Sequence, residues 1–158
     1  MLAVAGTNHN SVFIVNRKPN LHIVKTFTNH TKPVTVCKFV DDGETRNRLI
    51  TLGYDKKLRD WDVDTGKMMK SYNQPSIPLS ADIWGPILVI GYETGCVRLW
   101  SLIKQKEISS APKLHGSPVN EVKFSHEGHL LITASSDDMI KILDMKTMKT
   151  SSTIHILD

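Results

Sequence analysis

Three residue types found in hydrolytic triads fall within one short stretch: His30, Thr51 and Asp55. In a triad an imidazole takes the proton of a hydroxyl nucleophile while a carboxylate orients the ring. Threonine is a rare nucleophile away from a chain N-terminus, and the same trio fits a structural hydrogen-bond network. It recurs as His115, Thr133 and Asp137, with the Thr-to-Asp spacing unchanged. A second motif, His126-Glu127-Gly128-His129, has the residue types of a zinc-protease helix. It is too short for that motif and falls where a hairpin turn is expected. Cys37 and Cys96 have neither metal-site spacing nor a disulfide framework around them. No catalytic residue, metal or cofactor is therefore assigned, and the chain is read as a non-enzyme.

Strands and turns must position these side chains. Apolar runs at Val34 to Phe39, Leu49 to Leu52 and Leu58 to Trp61 read as short strands, with Tyr54-Asp55-Lys56-Lys57 as a polar turn. His30 precedes the first run and Asp55 precedes the third. An imidazole buried beside strands costs free energy unless both ring nitrogens are paired. Asp55 can accept from one nitrogen, and the Thr51 hydroxyl can join the other to the indole N–H of Trp61. Losing one member is expected to cost about 1–3 kcal/mol, mainly through the partner left unpaired. Downstream, Pro118-Val119 repeats Pro33-Val34, Val122 and Phe124 repeat Cys37 and Phe39, and Leu143 stands in the place of Trp61. Such self-similarity at a period of about forty residues points to propeller blades.

On these features the chain resembles WD40-repeat proteins over nearly its whole length. The strand endings that carry the resemblance are Val15-Asn16, Trp61-Asp62, Trp100-Ser101 and Leu143-Asp144. The resemblance implies a buried chain of His30, Thr51, Asp55 and Trp61. It implies a second of His115, Thr133 and Asp137 that stops at Thr133, since Leu143 has no N–H. The third repeat lacks the His, with Thr94 in place of Asp and Ile90 in place of Thr. It is expected to rely on apolar packing alone, with Trp84 as a core filler. Blades are expected at approximately 1–28, 29–73, 74–112 and 113–158, the first beginning late. The fold class is thus all-β: an incomplete WD40-type β-propeller of about 3.75 four-stranded blades, an open fan or part of a roughly seven-bladed ring. An open fan would leave an exposed sheet face at each end.

The succession YDKKLRDWD, then the His-less PSIPLSADIWGPILVIGYETGCVRLWSL, then SSDDMIKILDMKT is similar to the C-terminal propeller of the autophagy-related protein 16-like family. That resemblance implies a protein–protein interaction scaffold in autophagosome assembly. Its partners would be conjugation machinery or receptors, and it would reach autophagosome precursor membranes through them. The alternative is a generic WD40 adaptor, such as a ubiquitin-ligase substrate receptor or another multiprotein-complex scaffold.

Composition sets the remaining bounds. The chain has 158 residues, 40% of them hydrophobic, enough to pack a core. The net charge of +4 is too small and too scattered to indicate a nucleic-acid partner. The densest basic cluster, Lys56, Lys57 and Arg59, reads as a solvated outer face. Met68, Met69, Met139, Met145 and Met148 read as core and strand filler. No apolar run is long enough to span a membrane, and the N-terminus has no signal-peptide pattern. A reducing cytoplasmic setting is expected, in which the Asn29-His30-Thr31 sequon stays unmodified. Loop residues Lys32, Tyr54, Lys56, Lys57, Ser117 and Asp138 form the candidate partner-binding rim, where lysines beside a tyrosine suit an acidic peptide.

Overall fold

Alternating apolar positions and tight polar turns produce strands alone: the computed structural model contains fifteen strands and no helix among the described residues. It describes residues 2–5, 10–16, 20–40 and 47–156, the first of these segments as backbone. The turn expected at Asn8 and His9 and hairpin residues 41–46 lie outside this set. The chain divides into two compact units, Met1–Ile77 and Pro78–Asp158.

In the first unit, β1 (Leu2–Ala5), β2 (Val12–Asn16) and β3 (His22–Phe27) form a three-stranded antiparallel sheet. A four-stranded meander follows: β4 (Val34–Val40), β5 (Arg48–Gly53), β6 (Lys57–Asp62) and β7 (Met68–Asn73). The core between these sheets gathers Val12, Ile14 and Phe27 against Val34, Leu49, Trp61 and Val63. Phe27 meets Trp61 edge-on, with ring centroids 5.0 Å apart. Cys37 is only partly buried and packs against this core.

The second unit repeats the arrangement. Its first sheet is β8 (Pro78–Trp84), β9 (Ile87–Tyr92), β10 (Val97–Ser101) and β11 (Lys106–Ala111). Its second is β12 (Val119–Phe124), β13 (Leu130–Ser135), β14 (Met139–Asp144) and β15 (Thr150–His155). Val89, Val97 and Leu99 of one sheet pack against Val119, Val122, Leu131 and Leu143 of the other.

The repeat extends to irregularities. In every sheet the pairing of the third and outermost strands slips at the terminal hydrophobe: Ile14/Val15, Asp60/Trp61, Leu99/Trp100 and Ile142/Leu143. The turn beyond is also the same structure three times. Asp62, Ser101 and Asp144 each accept a backbone N–H three residues on, at Thr65, Lys104 and Thr147. Each turn then needs a left-handed residue, filled by Gly66, Gln105 and Met148.

Several expectations need correction. Trp84 is no core filler: it is 37% exposed, with its ring lying over Gly128. Met148 is buried, but Met68 and Met69 are exposed on β7. Arg59 is buried rather than solvated.

Candidate functional site

The loop ahead of β4 delivers His30, the middle of β5 delivers Thr51, the β5–β6 turn delivers Asp55, and the end of β6 delivers Trp61. His30 Nδ1 lies 3.0 and 3.1 Å from the Asp55 oxygens, and Nε2 lies 2.8 Å from Thr51 Oγ1. The Trp61 indole N–H donates to the same Thr51 oxygen at 2.9 Å. His30, Thr51 and Trp61 are all buried. An ionised carboxylate only accepts, so Nδ1 carries the imidazole hydrogen and Nε2 accepts the Thr51 hydroxyl hydrogen. Backbone amides of Thr31 and Lys57 add to Asp55, tying both flanking loops to one side chain.

Arg59 completes the group, and its charge hid it in the sequence. Its Nη1 donates to Asp55 Oδ2 at 2.8 Å and sits 2.6 Å from His30 Nδ1, so both cations' hydrogens are directed at one carboxylate. Burial pulls the Asp55 pKa up, but the hydrogen bonds from His30, Arg59 and Thr31 outweigh it and leave the pKa below the usual carboxylate range. Burial pushes the His30 pKa down, against the pull of Asp55, so the ring is neutral near pH 7. Gly53 leaves the room required: a Cβ there would lie 2.8 Å from His30 Nδ1 and 3.0 Å from the Pro33 carbonyl.

In the fourth sheet His115 Nδ1 lies 3.0 and 2.9 Å from the Asp137 oxygens, and Nε2 lies 2.9 Å from Thr133 Oγ1. The amide of Gly116 donates to Asp137 at 3.0 Å. Burial raises the Asp137 pKa, while bonds from Gly116, His115 and Ser135 hold it below the ordinary value. Leu143 offers no N–H, and the Thr133 hydroxyl has a second acceptor in reach, the Lys141 carbonyl at 3.2 Å. Lys141 itself donates to the Leu114 carbonyl.

The third sheet corrects the expectation of purely apolar packing. Register makes Gly53, Tyr92 and Ser135 equivalent, since they face Val34, Pro78 and Val119 in turn. The fully buried Tyr92 ring therefore occupies the position that glycine keeps clear beside His30. Arg98 lies 5.9 Å over that ring and pairs with Glu107. Arg59, Arg98 and Lys141 are also equivalent, opposite Thr51, Ile90 and Thr133. A cation just before each terminal hydrophobe was the sequence signal that could have revealed Arg59.

The rim residues fall in two groups. Lys32, Tyr54 and Lys56 are exposed at one end of the second sheet, where the Tyr54 amide donates to the Pro33 carbonyl. Lys57 is there too, half-buried and donating to Asn73. Ser117 and Asp138 lie at the corresponding end of the fourth sheet. His126 and His129 are exposed in the β12–β13 turn, and among the described residues no His, Cys, Asp or Glu cluster could hold a metal ion. Nor is any helix long and apolar enough to cross a membrane.

Comparison with known proteins agrees with this architecture. The family described as WD domain, G-beta repeat matches residues 21–62, and the anaphase-promoting complex subunit 4 WD40 domain matches residues 87–158. The chain is 28% identical to a WD repeat-containing protein 89 homolog of Dictyostelium discoideum, over all of this chain and 43% of that protein. It is 31% identical to a guanine nucleotide-binding protein subunit beta of Solanum tuberosum, over 75% of this chain and 33% of that one. It is 26% identical to autophagy-related protein 16 of Arabidopsis thaliana, over 96% of this chain and 30% of that one. The chain spans less than half the length of these relatives. Two His-centred hydrogen-bond groups, a common bulge and turn, and both family matches lead to one statement: this chain is built of WD40 repeats.

Proposed function

We propose that the chain is a non-catalytic protein–protein interaction scaffold acting in autophagosome assembly in the cytoplasm. The observation that carries the scaffold reading is the pairing of exposed loop residues with a buried brace. Lys32, Tyr54 and Lys56 project beside the loops that His30 and Asp55 hold together. Rigid loops presenting two lysines and a tyrosine suit an acidic peptide, because little ordering entropy remains to be lost on binding. His30 and Thr51 are buried with their hydrogen-bonding atoms engaged, which favours a brace over a nucleophile and base.

The autophagy assignment is supported by the order of repeats and by the alignment to autophagy-related protein 16 of Arabidopsis thaliana along 96% of this chain. A second reading, a structural subunit of another multiprotein complex, is favoured by the match of residues 87–158 to the anaphase-promoting complex subunit 4 domain. Quantitative affinity capture with wild type, Lys56→Glu and Lys106→Glu separates these cases. The scaffold reading expects Lys56→Glu to lose specific proteins that Lys106→Glu, on the outer strand β11, retains. Identical captured sets would reject the rim. Recovery of lipid-conjugation proteins supports the autophagy role; recovery of a different complex in their place supports the second reading.

A further inference from the structure

Two sheet-on-sheet contacts, one in each unit, use the same positions. In the first unit Val12, Ile14 and Phe27 receive Val34, Leu49 and Trp61 from the following sheet. In the second, Val89, Val97, Leu99 and Ala111 receive Val119, Val122, Leu131 and Leu143. Register makes the receiving sets equivalent: Val12 lies opposite Phe27 as Val97 lies opposite Ala111. Each sheet thus has a receiving face and a delivering face.

In the sheet β12–β15 the delivering face is covered by its neighbour in the same unit, but the receiving face is open. Its residues are Ile132, Ile140, Ile142 and Ile154, equivalent to Val89, Val97, Leu99 and Ala111. Leu130 stands where Ile87 stands. Ala134 is equivalent to Gly91, the position pressed by Val119 and Val122. Every receiving position is therefore small or aliphatic. Leu130, Ile132 and Ile154 are 39%, 41% and 51% exposed, and Ile140 and Ile142 are half-buried. A solvent-facing sheet surface alternates to polar side chains, whereas a contiguous apolar patch marks an interaction surface.

We infer that this face receives a further WD40-type sheet that delivers apolar side chains at the positions of Val119, Leu131 and Leu143. Both precedents within the chain are sheets seated on these same positions. Charge narrows the occupant. Asp82 accepts from the Phe124 amide at 3.2 Å and lies 3.6 Å from Lys123 Nζ in the existing contact. The residue equivalent to Asp82 on the open face is Lys123 itself. The arriving sheet therefore carries an acid where β12 carries Lys123. A second copy delivering its second or fourth sheet would set Lys38 or Lys123 against that lysine.

The test extends the full chain at its C-terminus with a tandem copy of residues 113–158 carrying Lys123→Asp. The parent chain binds the apolar dye ANS, and the extended chain loses that signal while the amides of Ile132 and Ile142 exchange more slowly. Unchanged dye binding and exchange in an extended chain whose circular dichroism shows the added strands would overturn the inference. In the parent chain, Ile142→Lys removes dye binding with little loss of stability. A large loss of stability would instead show that this side chain is already packed within the chain. Sedimentation of the parent as a dimer split by Ile132→Lys would give the face to a second copy and also overturn the inference.

Discussion

Thr51→Val and Thr133→Val are the same chemical change at equivalent positions, and the structure predicts unequal costs. Valine keeps the shape of threonine, so neither variant opens a cavity. In the second sheet the Thr51 oxygen serves two buried groups, His30 Nε2 at 2.8 Å and Trp61 Nε1 at 2.9 Å. Each group left unpaired costs about 1–3 kcal/mol, so Thr51→Val should lose about 2–6 kcal/mol. In the fourth sheet Thr133 serves His115 Nε2 at 2.9 Å and receives nothing from Leu143, so Thr133→Val should lose about 1–3 kcal/mol. Urea titration followed by hydrogen exchange of the β5 and β13 amides reads each sheet separately. The indole N–H resonance of Trp61 should move in Thr51→Val and stay in place in Thr133→Val. A third variant closes the comparison: in a Trp61→Leu background, Thr51→Val should cost only what Thr133→Val costs. Equal losses in the wild-type background, or no coupling between Thr51 and Trp61, would refute the reasoning.

Three further outcomes follow from the geometry. The His30 pKa is depressed, so the unfolded chain takes up a proton first as pH falls; the stability contributed by the neutral ring is complete above about pH 6.5 and declines below it. The depressed Asp55 pKa adds a second loss that begins near pH 3.8 and continues below; denaturant midpoints across pH 3 to 8 should show both phases in wild type and lose the upper one in His30→Gln. Gly53→Ala should destabilise by about 1–3 kcal/mol because the new methyl meets His30 and the Pro33 carbonyl, whereas Gly116→Ala, with no atom within 4 Å, should change the thermal midpoint little. Lys56→Gly relieves a left-handed residue at φ 56° that the third sheet fills with Gly95, and should raise stability by about 0.5 kcal/mol in the same thermal assay.

Strands, turns and repeats were readable because alternation and turn residues are local signals. The grouping of His30 with Thr51 and Asp55 was readable because a buried imidazole leaves few ways to pair both nitrogens. Arg59 was not, because a charged residue on a strand reads as solvated until a buried carboxylate is known to face it. Tyr92 escaped for a related reason. The His-less sheet was read from what it lacked, and only register reveals that an aromatic ring fills the space beside a cation and Glu107. Trp84 failed differently: the chain turns at Gly85 directly after it, placing the ring at a sheet end over Gly128.

The recurrent slip between the third and fourth strands has a consequence for solubility. β3, β7, β11 and β15 are each the last strand of their sheet, with one row of backbone groups open to pairing. A flat strand of that kind is a template on which fibrils grow. The extra residue next to Val15, Trp61, Trp100 and Leu143 bends and twists each outer strand away from the plane a newcomer would need. The same local defect, copied once per repeat, guards every free margin of the molecule against runaway strand addition.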